Sequence, residues 1–180
     1  MRRLLLLLLV VALAAPVFAQ RRPSSRTSSR TALAPPRVGV GFDVWGAPSG
    51  QTLIPDGVAV GLRTRVALPI NADLSGAASV GLGAHLWEGS DNARWVANPQ
   101  TSLIVTLPAR RGRSLTYVLG GFGAYLPLDN RGGGAPTLHA GVGTAIPLND
   151  TSFFVEVNPS LLIGRQETTG VIAARAGIIF

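Results

Sequence analysis

The feature that most constrains the fold is an alternation of aliphatic residues with small or polar residues, which runs from Arg37 to Phe180. Residues 38–44 show it most clearly, because Val and Phe at even positions alternate with Gly and Asp at odd positions. A period of two places these two sets on opposite faces of a β-strand. The alternation therefore predicts an all-β protein whose strands have one aliphatic face and one face of Gly, Ser, Arg, Asp and Glu.

Turn signals divide this region into eight runs of β character. Each run is longer than the ~5–6 residues of an average soluble strand. The runs are long enough for the ~9–11 residues with which a strand crosses a bilayer. The pattern does not orient the fifth run. The predicted strands are Arg37–Gly46, Val58–Leu68, Leu74–Leu86, Arg94–Leu107, Ser114–Leu126, Thr137–Leu148, Ser152–Ile163 and Gly170–Phe180.

The connections between the runs are of two kinds. An aliphatic residue followed by Pro recurs after the second, fourth and sixth runs, at Leu68–Asp73, Leu107–Gly112 and Ile146–Asp150. The other connections are polar and mostly longer. Short turns at one end and longer loops at the other are typical of barrels in bacterial outer membranes. An even number of strands would place both termini at the short-turn, periplasmic end.

The first 36 residues precede the predicted barrel and divide into two segments. Two Arg and an apolar run, Leu4–Ala15, are followed by Val17-Phe18-Ala19, which is typical of a secretory signal peptide cleaved after Ala19. The run is shorter than the ~20 residues of a spanning helix. Residues 20–36 are rich in Ser, Arg and Pro and predict a disordered periplasmic tether. The domains are therefore 1–19 signal peptide, 20–36 tether and 37–180 barrel.

Composition excludes several classes of function. The chain has no Cys, which excludes disulfides and thiolate metal sites, and its sixteen basic residues are all Arg. The net charge of +7 comes mainly from the first 36 residues. Residues 37–180 contain ten Arg and nine acidic residues, so the predicted barrel is nearly neutral. It therefore lacks the basic face that a nucleic acid needs. We therefore expect no nucleic-acid partner.

Together these features resemble the OmpA/OmpX-like small outer-membrane barrels over residues 37–180. The most specific element is the last strand, in which Ala176 and Ile178 alternate with other residues up to the terminal Phe180. The resemblance implies that this strand is an assembly signal for the outer-membrane assembly machinery, and that outer-membrane lipid surrounds the barrel. It also implies a girdle of interfacial aromatic residues, for which the candidates are Trp45, Trp87, Trp95, Tyr117 and Tyr125.

The charged residues of the polar face predict a network inside the barrel. If the last hairpin turns around Arg165 and Gln166, Glu156 and Arg175 lie opposite each other on adjacent strands. We expect this ion pair to be extended by a further set of charges at Asp43, Arg63 and Arg65, because a buried charge must be paired. The main interpretation is a plug that fills the lumen, and the alternative is a gate that exchanges partners and passes ions.

Candidates for chemistry are few. Lipid-modifying enzymes exist among eight-stranded barrels, and His85 with Ser90 and Asp91 is the set in which a base and a nucleophile lie close in sequence. No further motif surrounds them, and Ser and Asp are ordinary turn residues. Two His without a third ligand do not predict a metal site. We therefore expect no enzymatic activity, no cofactor and no metal.

The sequence thus predicts an eight-stranded antiparallel up-and-down transmembrane β-barrel in a Gram-negative-type outer membrane. Its interior would be filled by side chains, so we expect a structural or surface-interaction role rather than a general porin. The sequence does not name a partner for the outer loops. Two alternatives stay open at this stage. One is a soluble exported barrel that binds an apolar ligand, as lipocalins do, and the other is a lipid-modifying barrel enzyme.

Overall fold

The computed structural model describes residues 35–47, 57–86, 93–108, 114–129, 133–165 and 167–180. These residues form a closed antiparallel barrel in which each strand pairs with its neighbours in sequence, so the predicted fold class is confirmed. No helix among them is long and apolar enough to cross a membrane. The strands are β1 Arg37–Gly46, β2 Val58–Pro69, β3 Leu74–His85, β4 Arg94–Thr106, β5 Leu115–Pro127, β6 Ala135–Leu148, β7 Thr151–Ile163 and β8 Thr168–Ile179.

The barrel closes by pairing its first and last strands. β1 and β8 pair from Gly39 opposite Ile179 to Gly46 opposite Ile172. Beyond this ladder the amide of Phe180 donates to the carbonyl of Val38 at 2.8 Å. Closure satisfies the backbone groups that an open edge would leave unpaired, which a sheet surrounded by hydrocarbon requires.

The aliphatic face of the strands points outward. Val40, Leu82 and Ile178 lie on the outer surface, with 43%, 50% and 41% of their areas exposed. The odd-numbered partners in β1, Gly39, Gly41 and Asp43, are buried inside. This orientation is the opposite of the one that a soluble barrel with an apolar ligand in its interior requires.

The structure settles the orientation of β5, which the sequence left open. Tyr117, Leu119 and Tyr125 point inward and are buried, whereas Val118 and Phe122 are exposed on the outside. Both faces of this strand carry large apolar or aromatic residues, and Gly120-Gly121 interrupts them. A two-residue period is informative only where the two faces differ in polarity, and in β5 they do not.

The ends of β2, β4 and β6 lie at the same end of the barrel as the start of β1 and the end of β8. Asparagine shapes two of these turns. The side-chain oxygen of Asn71 accepts from the amides of Asp73 and Leu74 at 2.9 and 2.8 Å, which forms an Asx turn. Asn149, between β6 and β7, has a φ of 48°, a left-handed conformation that Asn adopts more readily than most residues.

Candidate functional site

The five charged residues predicted from the sequence lie together in the middle of the barrel interior. β1 contributes Asp43, β2 contributes Arg63 and Arg65, β7 contributes Glu156 and β8 contributes Arg175. Arg175 is the register partner of Glu156 on one side and of Asp43 on the other. The register predicted for the last hairpin is therefore the one observed, and it places these side chains on the inward face.

These five residues form an ionic layer across the lumen. Within it, Glu156 accepts the largest number of hydrogen bonds. Its carboxylate accepts from both terminal nitrogens of Arg65, at 2.8 and 3.0 Å. It also accepts from Nη1 of Arg175 at 2.8 Å and from the hydroxyl of Tyr117 at 3.1 Å. Glu156 is 1% exposed. Charge-assisted bonds to two guanidinium groups compensate for the water that this carboxylate loses on burial.

Asp43 joins the remaining charges to Glu156. Its two oxygens accept from Nε of Arg63 at 2.8 Å and from Nε of Arg175 at 3.2 Å. Arg175 thus bridges the two carboxylates, and the five charges form one continuous network. A network of this kind holds together strands that are distant in sequence.

Neutral side chains complete the ionic layer, and sequence reasoning did not assign them to it. Arg63 donates to Ser79 at 3.0 Å, to Asn98 at 2.7 Å and to Gln100 at 3.2 Å. Arg175 also donates to Gln100, at 3.1 Å. The inward position of Ser79 and Gln100 was visible in the alternation, but their hydrogen-bond partners depend on distances across the lumen that a sequence does not contain.

Asn98 also forms a hydrogen bond across the interruption of the ladder that it shares with Pro99. The pairing of β4 with β5 passes from Ala97–Leu126 to Gln100–Gly123, which leaves Asn98 and Pro99 out of the ladder. Pro has no N–H to donate. The side-chain amide of Asn98 donates to the carbonyl of Ala124 at 3.1 Å instead, so this strand break remains hydrogen-bonded.

Two apolar clusters lie above and below the ionic layer. The cluster at the long-loop end is built around Trp45 and Tyr125, and the cluster at the short-turn end around Tyr117 and Phe154. Sequence reasoning missed both, because their members are scattered among glycines and polar residues of the inward face. The first cluster contains Trp45, Ala59, Val96, Tyr125, Ala135, Leu162, Val171 and Ala173, and the second contains Tyr117, Leu119, Ala145 and Phe154, with Ile104 and Ile179 packed against it.

The prediction of a lipid-facing aromatic girdle is wrong for three of its five residues. Trp45, Tyr117 and Tyr125 are buried inside the barrel, and Trp45 packs edge-on against His85 and Tyr125. Trp45 shares the odd-numbered face of β1 with Asp43, so the alternation itself indicated its orientation. Trp95 is exposed on the outside, and its interfacial role stays a prediction. Trp87 lies outside the described residues.

The predicted assembly signal lies on the outer surface. Ile178 is exposed there, and Phe180 is 60% exposed at the end of the chain, while Ala176 shares the same face with partial exposure. These side chains lie on the face of β8 opposite the one that carries Arg175. Their apolar surface is therefore available to whatever surrounds the barrel.

Of the residues considered for catalysis or metal binding, the two histidines lie inside the barrel. His85 is 1% exposed and packs against Trp45. Ser90 and Asp91 lie outside the described residues. The other histidine, His139, shares a hydrogen bond of 2.9 Å with the hydroxyl of Ser102 inside the barrel. Within the described part of the chain, no three His, Asp or Glu side chains are grouped so that they could hold a metal ion.

Glycine at position 143 makes room for the Glu156 site, which gives a testable prediction. A Cβ on Gly143 would collide with the ring and hydroxyl of Tyr117, whose hydroxyl donates to Glu156. We expect Gly143→Ala to lower the free energy of unfolding by ~1–3 kcal/mol, the range for overpacking a filled interior. Chemical denaturation of the purified barrel measures this change.

Gly170→Ala is the matched control. Gly170 also lies in a strand, but a Cβ there would meet nothing within 4 Å. We expect its free energy of unfolding to equal that of the unmodified protein or to rise slightly, since Gly is entropically unfavourable in a strand. Equal losses for the two variants would show that Gly143 is not constrained by Tyr117.

No protein-family model and no curated protein matches the sequence. Solved structures do match its fold. Neisserial surface protein A is 12% identical, with a TM-score of 0.66 over 80% of this chain and 95% of its own. OprG from Pseudomonas aeruginosa, an outer-membrane protein, is 11% identical, with a TM-score of 0.55 over 80% and 93%. Ail, the attachment invasion locus protein of Yersinia pestis, is 14% identical, with a TM-score of 0.51 over 81% and 97%.

These structures and the present one share a closed barrel and are matched over nearly their whole length. The matched share of this chain is 80–81%, and that of the three solved structures is 93–97%. The fold of this chain is therefore that of the small eight-stranded outer-membrane β-barrels of the OmpA/OmpX-like kind.

Proposed function

We propose that the protein is an integral outer-membrane barrel with a closed interior, which has a structural or surface-interaction role and is neither a general porin nor an enzyme. The observation that carries this proposal is the stacking of an apolar cluster, an ionic layer and a second apolar cluster along the lumen. A hydrated ion would have to pass two apolar constrictions and displace paired charges. Barrels of eight strands are just wide enough for side chains to fill them.

The outer surface supports a location in lipid. Large apolar residues are exposed on all eight strands, among them Phe42, Leu62, Phe122 and Ile172 at 55–71% exposure. In water this much contiguous apolar surface would cause aggregation, whereas in a bilayer it faces hydrocarbon. In the outer membrane the short turns and both termini would lie in the periplasm, where residues 20–36 would form the tether.

The long-loop end would face the outside of the cell. The connections there include residues 48–56, 87–92 and 130–132, which lie outside the described residues. Among the neighbours in fold, one is described as a surface protein and one as an attachment invasion locus protein. This supports a surface-interaction role for the corresponding end of the present barrel.

We also propose that the outer-membrane assembly machinery recognises the last strand. Phe180 presents an exposed ring, while its backbone pairs with Val38. Phe180→Ala keeps this backbone pairing, so the purified variant should refold in detergent as well as the unmodified protein. In cells its amount in the outer membrane should fall several-fold, as measured by fractionation and immunoblotting. Unchanged cellular assembly would contradict a role for the aromatic ring.

Planar lipid-bilayer recordings test the closed interior. We expect the refolded protein to show no conductance steps at salt concentrations where a porin conducts. Glu156→Ala serves as the second arm, because a gate that exchanges ionic partners would open more often without this carboxylate. Regular conductance steps in the unmodified protein would overturn the closed interior, and steps confined to Glu156→Ala would support the gate instead.

A further inference from the structure

The ionic layer has unequal numbers of positive and negative charges. Among the described residues of the interior, three guanidinium groups, of Arg63, Arg65 and Arg175, face two carboxylates, of Asp43 and Glu156. Both oxygens of each carboxylate accept from Arg. The layer therefore holds one positive charge without a countercharge, in a setting of low dielectric where such a charge attracts an anion strongly.

A small cavity lies beside two of these guanidinium groups. It has a volume of about 20 Å³ and is lined by Arg63, Arg175, Asn98, Gln100 and Thr137, together with Asp43 and members of the apolar cluster at the long-loop end. A cavity needs only ~10–15 Å³ by this measure to hold a water molecule. This one can therefore hold a single small ion, but no larger solute.

Hydrogen-bond donors line this cavity without a protein acceptor. Arg175 has five N–H groups, and it uses three of them, on Asp43, Glu156 and Gln100, within the part of the chain that the structure describes. The hydroxyl of Thr137 is buried, with the residue 2% exposed, and has no hydrogen-bond partner among the described residues. A buried hydroxyl of this kind requires a partner.

Glycine at position 123 keeps the space beside these donors open. Gly123 pairs with Gln100 on β4 and with Thr137 on β6. A Cβ on Gly123 would collide with the backbone carbonyl of Pro99, and it would lie 2.8 Å from Cγ of Gln100 and 3.0 Å from the hydroxyl oxygen of Thr137. Any larger residue would thus press against both side chains that border the cavity.

We propose that this cavity is a binding site for one monovalent anion of chloride size, held by Arg175, Arg63 and the hydroxyl of Thr137. The anion would balance the unequal charge of the ionic layer and accept the hydrogen bonds that its lining offers. The carboxylate of Asp43 also borders the cavity, but both of its oxygens already accept from guanidinium groups, which offsets its repulsion. Water is the competing occupant, since it fits the volume but does not supply the missing charge.

The first test uses bromide, which replaces chloride and scatters X-rays anomalously. Crystals of the purified barrel grown in sodium bromide should show an anomalous peak between Arg63, Arg175 and Thr137. In detergent, the midpoint of thermal unfolding should be higher in sodium chloride than in sodium gluconate of equal ionic strength, because gluconate is too large for the cavity. No peak and equal midpoints would overturn the proposal and assign the cavity to water.

Two variants test whether the stabilisation by chloride arises at this cavity. Thr137→Val keeps the shape of the side chain but removes the hydroxyl. The chloride concentration that gives half of the maximal rise in the midpoint of thermal unfolding should therefore increase about tenfold. Arg65→Gln removes one positive charge without touching the cavity, and the difference between chloride and gluconate should disappear. The difference between the two salts is compared within each variant, so a general loss of stability does not obscure it.

Thr64→Val is the matched control, because Thr64 is exposed on the outer surface of β2. Its dependence on chloride should equal that of the unmodified protein. Full chloride dependence in Thr137→Val or in Arg65→Gln would place the responsible ion elsewhere and overturn the assigned site.

Discussion

Replacing Glu156 with Gln is expected to lower the free energy of unfolding by about 3–5 kcal/mol, the range for removing one partner of a buried ion pair. The change leaves Arg65 and Arg175 without the carboxylate to which both donate, at 2.8 Å in each pair. Glu156 is 1% exposed, so water cannot replace the lost partner. Urea unfolding of the refolded protein in detergent or lipid, monitored by the folded and unfolded bands on a gel, measures the loss.

Two controls separate this effect from a general sensitivity to mutation. Asp73→Asn removes a carboxylate from an exposed turn and should change the free energy of unfolding by less than ~0.5 kcal/mol. Arg65→Gln should cost less than Glu156→Gln, because Arg65 is more exposed, at 12% of its side chain, and its loss leaves equal numbers of opposite charges. A Glu156→Gln barrel as stable as the unmodified one would contradict the structural importance of the network.

The second large effect concerns the outer surface. Val142 lies near the middle of β6, pairs with Val118 and Val157, and is 50% exposed. We expect Val142→Arg to lower the free energy of unfolding in lipid vesicles by ~2–4 kcal/mol, because the midplane of a bilayer cannot solvate the guanidinium group. Refolding yields and unfolding curves in phosphatidylcholine vesicles measure the loss.

Leu148→Arg is the matched control on the same strand. Leu148 is 51% exposed, which is nearly the same as Val142. It lies at the end of β6, however, and therefore closer to the membrane interface than Val142. Near the membrane interface Arg costs only ~0–1 kcal/mol. Water would surround both positions of a soluble barrel equally. Equal effects of the two substitutions would therefore contradict a bilayer around β6.

The alternation of aliphatic with small or polar residues predicted the fold, because the two faces of most strands differ clearly in polarity. In β1 the even-numbered valines point outward and Asp43 points inward, as the period requires. The pairing of Glu156 with Arg175 followed from the same reasoning, since the position of one turn determines the register of a whole hairpin. Local rules of this kind operate within a strand or between sequence neighbours.

The remaining parts of the interior depend on contacts across the lumen. Trp45 was expected at the lipid interface on the basis of residue type, but its position on the inward face places it against His85 and Tyr125. The contacts of Arg63 with Asn98 and Gln100 join strands that are not adjacent, and no local pattern encodes them. Their prediction requires the diameter and stagger of the closed barrel, which only coordinates supply.

The most direct test of this account is a single-cysteine scan along β6, which is straightforward because the chain has no Cys of its own. Spin labels at positions 138, 140, 142, 144 and 146 of the protein in lipid should be accessible to oxygen and shielded from a water-soluble nickel complex. Labels at 139 and 145, on the inward face, should be inaccessible to both. Access of the nickel complex to the even-numbered positions in the middle of the strand would contradict an aliphatic face embedded in hydrocarbon.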